Sequence, residues 1–399
     1  MGVGEVVRRR EQTTTSKVKD LQHDGSCPLG GWPGHTAPER GHRYCSAMAT
    51  DRTLTELGYY LLAGGAADPS LVIDEAVAGE RLGLGTAFLS ERFNLKELGA
   101  LSGAACASTS AMTIALGTTN HNLRHPIVFA SWATTLHRLS GGRFMPGIGR
   151  GIAPIQQAFG IPAVTTAQME DFVGLMRRLW HGEVIFNHEG PAGSFPILHL
   201  DASFDEDIDM SLVAFGPESL ALGGRAFDAV ILHTFFTEET VERSVRTVKE
   251  AAEQAGRDPA SVTVWSCLAT VEDSIDEELR LRKTVGRLAT YLQGYGDLLV
   301  HTNRWDPAVL DRFRSDTVVS SVPGAIDTLA TIDQLEHISG LIPDAWLEPS
   351  ATGSATACAE RVSAELDLGA DAVILHGATP LELEAVVAAY RERDARPAG

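Results

Sequence analysis

The chain has 399 residues, 44% of them hydrophobic, and carries a formal net charge of −19 at neutral pH. This composition is typical of a water-soluble globular protein with a large core. The acidic balance argues against a surface that binds nucleic acid or anionic lipid, and no apolar run approaches the roughly 20 residues of a membrane-spanning helix.

Residues 1–53 differ from the rest of the chain. They begin with the basic run Arg8 to Arg10, continue through Thr, Ser and Lys, and become rich in Gly, Pro and His, with almost no apolar periodicity. Such a segment cannot bury enough apolar surface to fold, so it is predicted to be a disordered or non-native leader. Met48 offers an alternative start. The prediction is therefore a single domain over 55–392.

From residue 55 onward, strand-like and helix-like segments alternate, a pattern that predicts parallel strands joined by crossover helices. Most strand candidates are unbroken apolar runs, as expected for strands buried on both faces. Predicted strands lie at 58–62, 86–90, 112–120, 144–148, 210–215, 228–234, 262–269 and 371–377. Eight such units predict an α/β fold of the (β/α)8 TIM-barrel type, and the absence of GxGxxG after the first strand argues against a Rossmann site.

Two longer departures from this rhythm are predicted to be insertions. The polar segment 183–200, punctuated by Gly and Pro, is expected to form a β-hairpin. A charged segment over about 273–345 is expected to be largely helical and to lie between the seventh and eighth strands.

The stretch GGRFMPGIGRG, from Gly141 to Gly151, combines a helix stop, a short strand and an arginine between glycines. The Gly141-Gly142 pair supplies a left-handed helix C-cap. Pro146 cannot donate a ladder hydrogen bond, so the strand is expected to contain a bulge or to start late near Gly147. Arg150 then lies at the carboxyl end of a strand, where an arginine is suited to bind phosphate or carboxylate; a structural ion pair is an equally good interpretation.

A second anion site is predicted where the fifth strand runs into Gly216, Pro217, Glu218 and Ser219. Free backbone N–H groups at a helix start favour an anion, and a serine hydroxyl adds a donor. Ser219 is as well explained as a plain helix cap.

Other polar residues at predicted strand ends are candidates for chemistry at the same mouth. Glu91 and Arg92 follow the second strand, and a simple ion pair at the rim is the more favoured interpretation for them. His121 and His233 follow the third and sixth strands, and a hydrogen bond to a neighbouring strand is commoner for a lone histidine than proton transfer. No metal-ligand spacing occurs, so no metal is predicted.

The five cysteines lie far apart and show no CxxC or zinc spacing. They are predicted to be buried free thiols in a reducing compartment, the cytoplasm, and Cys106 and Cys267 are expected to serve packing rather than catalysis.

Several of these blocks, in this order, resemble the bacterial luciferase-like flavin and deazaflavin oxidoreductases, over about 55–390. The matching blocks are RLGLGTAFLSERF, LGTTNHNLRHPIVFASWATTLHRLSGGRFMPGIGRG, VAFGPES and GADAVILHG. The resemblance implies a TIM barrel of the luciferase type with a non-covalent flavin or coenzyme F420 in its mouth, and often a homodimer. Within the family, the chain is most similar to the actinobacterial branch of probable F420-dependent enzymes.

The resemblance also implies roles for individual residues. Arg150 with Gly151, and Gly216 with Glu218 and Ser219, match the positions that hold the phosphate of the cofactor. Thr119-Asn120 matches the place of a non-prolyl cis peptide against the cofactor ring. Arg92 and Phe93 stand where several relatives have a histidine, so that histidine's proton-transfer role does not carry over. The segment after Arg150 also lacks the carboxylate of the family's sugar-phosphate dehydrogenases.

Three functional hypotheses follow from the resemblance. The first is an F420-dependent oxidoreductase that moves hydride between the deazaflavin C5 and a small organic substrate, with Glu91, Arg92, His121 or His233 polarising the substrate or delivering a proton. The second is an FMN-dependent monooxygenase that uses reduced flavin, supplied by a separate reductase, and O2. The third is a non-catalytic flavin-binding barrel.

Overall fold

A closed ring of parallel strands forms the centre of the computed structural model, which describes residues 52–63, 68–92 and 95–394, without the side chain of Pro154. The predicted leader lies outside the described residues except for its last two positions. Strands and helices alternate as the sequence predicts. The strands are β1 Leu54–Tyr60, β2 Leu84–Leu89, β3 Thr113–Leu116, β4 Phe144–Met145, β5 Gly147–Ile148, β6 Ile185–Gly190, β7 Gly193–Leu198, β8 Ser211–Val213, β9 Ala229–Ile231, β10 Thr263–Glu272, β11 Ser350–Gly353 and β12 Ala372–His376.

Helices surround this ring. They are α1 Leu71–Leu82, α2 Leu98–Ser108, α3 Pro126–Ser140, α4 Ala153–Ala158, α5 Thr166–Trp180, α6 Pro217–Ala226, α7 Glu238–Gln254, α8 Glu277–Leu281, α9 Arg287–Asn303, α10 Pro307–Ser315, α11 Thr317–Ser321, α12 Ile326–Leu329, α13 Ile332–Ser339, α14 Asp344–Leu347, α15 Ala355–Asp367 and α16 Pro380–Asp394. A π-helical turn, Arg282–Gly286, leads into α9.

The barrel closes through one strand that is divided by a proline. The strand order is β4-β3-β2-β1-β12-β10-β9-β8-β5, all parallel. Because Pro146 has no N–H, segment 144–148 pairs in two halves: β4 joins β3, and β5 joins β8. The sequence predicted an interruption here, and the structure shows that it is the point where the ring closes. The eight-stave TIM barrel is confirmed.

Gly147 is required at this closure because the strands approach too closely for a side chain. A Cβ at Gly147 would lie 2.0 Å from the carbonyl oxygen of Leu116 and 2.2 Å from Oγ of Ser211. The same Ser211 hydroxyl donates to the Leu116 carbonyl at 2.9 Å. Glycine therefore allows β3, β5 and β8 to meet.

Both predicted insertions are present. Strands β6 and β7 form an antiparallel hairpin, with Ile185 opposite Leu198. The segment between β10 and β11 is helical, as predicted, and contains α8 to α14. Strand β11, which the sequence did not predict, pairs with the C-terminal half of β10, with Ala269 opposite Ser350.

The core has an inner and an outer part. Inside the barrel, Phe88, Trp265 and Ile374 pack with Tyr60, and the outer cluster joins the strands to the helices. Helix α3 stops at Gly141, whose φ of 69° is the predicted left-handed C-cap.

Cys106, Cys267 and Cys358 are free and buried, and burial raises the pKa of the Cys106 thiol to about 11 and that of Cys267 to about 12. Their thiols therefore stay protonated at neutral pH, as expected for packing residues. Cys27 and Cys45 lie outside the described residues.

Candidate active site

The ends of β2 and β3 are joined by a buried ion pair that the sequence did not predict. Arg124 contacts both carboxylate oxygens of Glu91, at 2.9 and 3.2 Å, and donates to the hydroxyl of Thr119 at 2.9 Å. Thr119 in turn donates to Glu91. The Glu91 side chain is 6% exposed and that of Arg124 15%. The predicted rim ion pair between Glu91 and Arg92 is therefore wrong. Glu91 pairs with Arg124 instead, and the Arg92 side chain is exposed.

Arg124 is the C-cap of a 3-10 turn at His121–Leu123, which follows β3. Its guanidinium also pairs with Glu97 at 2.9 Å and lies 4.9 Å from the ring centre of Trp132. One arginine therefore pairs with two carboxylates, and both carboxylate oxygens of Glu91 are engaged in hydrogen bonds to Arg124.

A non-prolyl cis peptide lies at the end of β3, between Gly117 and Thr118. The sequence placed it at Thr119-Asn120, two residues too late. Thr119 and Asn120 instead join β3 to β5: the Thr119 N–H donates to the Gly147 carbonyl at 3.0 Å, and Asn120 Nδ2 donates to the Gly149 carbonyl at 2.7 Å. These bonds fix the backbone that follows β5.

That backbone is the Gly149-Arg150-Gly151 turn. A Cβ at Gly149 would lie 2.8 Å from Cγ2 of Thr118, and Gly151 has a φ of 73°, which disfavours other residues. The Arg150 guanidinium is exposed, and its described contact is a hydrogen bond to the Thr166 hydroxyl. Arg150 is therefore held at the rim with donors to spare for an anion.

The loop that leads into α6 lies beside this turn, because β5 pairs with β8 in register Ile148 to Leu212. Gly216 is the N-cap of α6, with no side-chain cap, and a Cβ added there would meet nothing within 4 Å. The Ser219 hydroxyl donates to the Gly216 carbonyl at 2.9 Å and accepts from the Phe215 N–H at 3.2 Å. Ser219 thus shapes the turn, while Glu218 is exposed at the helix start.

These two loops carry groups that could hold a phosphate. The first-turn N–H groups of Glu218 and Ser219 and the Arg150 guanidinium are hydrogen-bond donors on adjacent staves, and Gly216 leaves open space beside them. No cluster of three or more His, Cys, Asp and Glu with metal-binding geometry occurs within the residues that the structure describes.

His121 and His233 do not lie together. His121 is 7% exposed, its ring centre is 4.9 Å from that of Phe172 in α5, and its Nε2 has no partner among the described residues. Burial lowers its pKa to about 4, so it is neutral at pH 7. The 3-10 turn directs His121 into the helical layer, whereas the sequence suggested that it lines the mouth.

His233 belongs to an aromatic cluster that reasoning from the sequence missed. Nε2 of His233 lies 2.8 Å from the Tyr295 hydroxyl, and the Tyr291 hydroxyl lies 3.4 Å from Nε2 of His376. Both tyrosines come from α9 of the insertion. The one signal in the sequence was Gly294-Tyr295-Gly296, an aromatic residue between two glycines inside a helix.

The chain matches the luciferase-like monooxygenase family model over residues 52–372. It belongs to this family. Among curated relatives, it is 25% identical to a 5,10-methylenetetrahydromethanopterin reductase of Methanolobus tindarius over 317 residues, which cover 77% of this chain and 90% of the relative. It is 31% identical to a phthiodiolone/phenolphthiodiolone dimycocerosates ketoreductase of Mycobacterium bovis over 204 residues, 49% of this chain and 52% of that relative.

Solved structures of two F420-dependent enzymes share the fold. The coenzyme F420-dependent tetrahydromethanopterin reductase of Methanopyrus kandleri aligns with a TM-score of 0.71 at 18% identity, over 85% of this chain and 99% of that one. An F420-dependent secondary alcohol dehydrogenase aligns with a TM-score of 0.64 at 18% identity, over 85% and 99% of the two chains. These alignments show the luciferase-type barrel, and the family model assigns the chain to a family of oxidoreductases. No helix in the described ranges is long and apolar enough to span a bilayer.

Proposed function

We propose that this luciferase-like enzyme is an F420-dependent oxidoreductase that transfers hydride between the deazaflavin C5 and a small organic substrate. The observation that carries the proposal is the pairing of the Arg150 turn with the open N-terminus of α6 on adjacent staves. The F420-dependent relatives named above support the choice of deazaflavin.

Each part of the mouth has a task in this proposal. Arg150, with Gly151 allowing the close turn, and the first-turn N–H groups beyond Gly216 would hold the phosphate. The backbone from the cis peptide to Asn120 would support the ring, since two hydrogen bonds to β5 and its turn fix it. Bound there, the deazaflavin would supply hydride chemistry, and the protein would supply position and electrostatics.

Glu91 and Arg92 have different properties in this setting. Glu91 is enclosed and bonded to Arg124, so it orients the ends of β2 and β3. The exposed Arg92 guanidinium remains available to polarise a substrate oxygen or bind a substrate carboxylate.

The test is equilibrium binding of F420 and of FMN to the purified protein, side by side at fixed salt, by fluorescence quenching. Arg150→Ala should weaken F420 binding about tenfold or more, because a charge-assisted hydrogen bond to phosphate contributes about 1.5–3 kcal/mol. Arg246→Ala, at an exposed position of α7, is the matched control. Unchanged F420 affinity in Arg150→Ala would contradict the phosphate assignment.

An FMN-dependent monooxygenase is the second candidate, because the phosphate cradle proposed above, the Arg150 turn with the start of α6, would also hold the phosphate of FMN, and the family is named for monooxygenases. Tighter binding of FMN than of F420, with oxygen consumption when reduced FMN is supplied, would favour it and would imply a separate flavin reductase as partner. Bound flavin without turnover would instead indicate a non-catalytic flavin-binding barrel.

We also propose that the enzyme works as a homodimer. Helix α3 exposes two large apolar side chains, Val128 and Leu139, each 55% exposed, which a second copy would cover. Light scattering coupled to size exclusion measures the mass directly, and a mass of 42.7 kDa would show a monomer.

A further inference from the structure

Helix α9 of the insertion lies across the barrel mouth. At Gly294 it approaches the loop after β5, since a Cβ there would lie 3.8 Å from Cδ1 of Ile152. Tyr295 reaches His233 beyond β9, and Tyr291 reaches His376 at the end of β12. The helix thus contacts the ends of three separate staves and forms a roof over the space between them.

The helix is broken where it crosses this space. Tyr295 has φ −155° and ψ 38°, outside the helical region, and lies between two glycines. At Gly296 a Cβ would lie 2.7 Å from Cδ1 of Leu310, so a larger residue would require the Leu310 side chain to move. Tyr291 and Tyr295 stack with ring centres 5.4 Å apart. Both phenols are therefore presented to the mouth from one side.

The direction of the hydrogen bonds around His233 can be assigned. Nδ1 of His233 lies 3.0 Å from the Thr234 carbonyl oxygen, which only accepts, so Nδ1 carries the hydrogen. Burial lowers the pKa of His233 to about 4, so the ring is neutral at pH 7 and Nε2 is an acceptor. The Tyr295 hydroxyl, 2.8 Å away, donates to Nε2. The Tyr295 oxygen keeps its lone pairs for another donor.

Both side chains still reach open space. Tyr295 and His233 are each partly exposed to solvent. Burial nevertheless lowers the pKa of the His233 imidazole and raises that of the Tyr295 phenol. This combination is expected for groups that line an enclosed space. Phe215, whose ring centre is 4.6 Å from that of His233, also borders a cavity of about 560 Å³, whose lining combines apolar side chains such as Leu220 with charged ones such as Arg243.

We propose that Tyr295 and His233 form a proton relay for an alcohol substrate. The alcohol donates its hydrogen bond to the Tyr295 oxygen. As the carbinol C–H bond breaks and its electron pair leaves with the hydrogen for the oxidised deazaflavin, the alcohol proton passes to Tyr295, and the Tyr295 proton passes to Nε2 of His233. A carbonyl compound and an imidazolium result, and the imidazolium releases its proton to solvent. Carbonyl reduction is the reverse.

The relay rests on the function proposed above, because that function supplies the hydride acceptor. It selects His233 from the four candidates that the sequence indicated and adds Tyr295, which the sequence did not indicate. The titratable and charged groups around His233 are Tyr291 and Tyr295 of α9, His376 of β12, Cys267 of β10, and the more distant Arg92 and Arg287, whose charges oppose protonation of His376.

Two measurements test the relay, with Tyr295→Phe as the variant and Tyr390→Phe of α16 as the matched control. In the first, 15N-histidine NMR of the protein without cofactor should show His233 as the neutral Nδ1–H tautomer at pH 7. Its Nε2 resonance should shift in Tyr295→Phe and not in Tyr390→Phe. An Nε2–H tautomer, or an unchanged resonance in Tyr295→Phe, would overturn the assignment.

In the second, F420-loaded protein is assayed with 2-propanol, cyclohexanol and benzyl alcohol. Tyr295→Phe should lower kcat by about 10²-fold or more, the range of general acid–base catalysis, with KM changed less than about threefold. Wild-type protein that binds F420 but oxidises none of the alcohols, or a Tyr295→Phe variant with unchanged kcat, overturns the relay alone. Wild-type protein that does not bind F420 overturns the proposed function as well.

Discussion

The ammonium group of Lys96 is buried at the cost of folding stability, and this cost has a definite pH dependence. Lys96 is 8% exposed, and Nζ donates to the Leu62 carbonyl at 3.0 Å. Among the described residues no carboxylate lies within 4 Å of Nζ. Burial, with the charge of Arg92 in second place, lowers the Lys96 pKa from 10.5 to about 8, against the opposing charge of Glu75.

The magnitude follows from linkage. A shift from 10.5 to about 8 corresponds to about 2–4 kcal/mol of lost stability at roughly 1.4 kcal/mol per pH unit. The folded-state pKa lies below the unfolded value, so the unfolded chain binds more protons between pH 8 and 10.5. The penalty is therefore full below pH 8, and the free energy of unfolding rises with pH through that window.

Lys96→Met keeps the apolar stem and removes the charge. At pH 7 this variant should be more stable by about 1–3 kcal/mol, after about 1 kcal/mol is subtracted for the lost hydrogen bond. Near pH 10.5 the advantage should vanish or reverse. Lys283→Met is the contrast, because Lys283 pairs with Glu382 at 2.6 Å and its removal should lower stability at pH 7.

Urea unfolding of both variants and wild-type protein at the two pH values, followed by tryptophan fluorescence, measures these differences. An equal stability difference between Lys96→Met and wild-type protein at pH 7 and at pH 10.5 would refute the reasoning. It would show that packing, rather than desolvation of the charge, sets the effect.

Two further predictions concern the barrel itself. Gly147→Ala should destabilise the protein by about 3 kcal/mol or more, because the added Cβ would meet a backbone carbonyl. Gly174→Ala in α5, where a Cβ would meet nothing within 4 Å, should stabilise the protein by about 0.5–1 kcal/mol. Thermal unfolding measures both variants, and equal midpoints would contradict the clash at Gly147. Arg124→Met should cost about 3–5 kcal/mol by leaving the Glu91 carboxylate buried without its cation, and adding Glu91→Gln should recover most of it in urea titrations. A double variant no more stable than Arg124→Met would show that Glu91 is not the reason.

The barrel could be predicted because its determinants are local. Strands buried on both faces appear as unbroken apolar runs, and Gly141 marks the end of α3 through backbone conformation alone. The missing N–H of Pro146 is likewise a property of one residue, so the interruption could be predicted. That the two halves pair with different neighbours, and so close the ring, depends on the strand order.

The side-chain partners in the mouth could not be predicted in the same way. Arg124 lies 33 positions from Glu91, after the 3-10 turn that follows β3, so the adjacent Arg92 was the natural partner to choose from the sequence. Tyr295 meets His233 across 62 positions, through a helix whose path over the mouth is set by tertiary packing. Neither contact has a periodicity or spacing that sequence patterns encode.

The contrast between local backbone features and long-range side-chain contacts also distinguishes the proposed cofactor-binding groups from the proposed substrate-binding groups. The phosphate cradle that we propose is built mainly from backbone: glycines at 149, 151 and 216 and the start of α6, all on short loops of adjacent staves. The groups proposed to contact the substrate belong to side chains that α9 brings over the mouth from an insertion. A substitution in α9 can change substrate preference while leaving the cradle intact, because the barrel strands fix the cradle independently of the roof. Substitutions in the glycine turns should act in the opposite way and reduce cofactor affinity first.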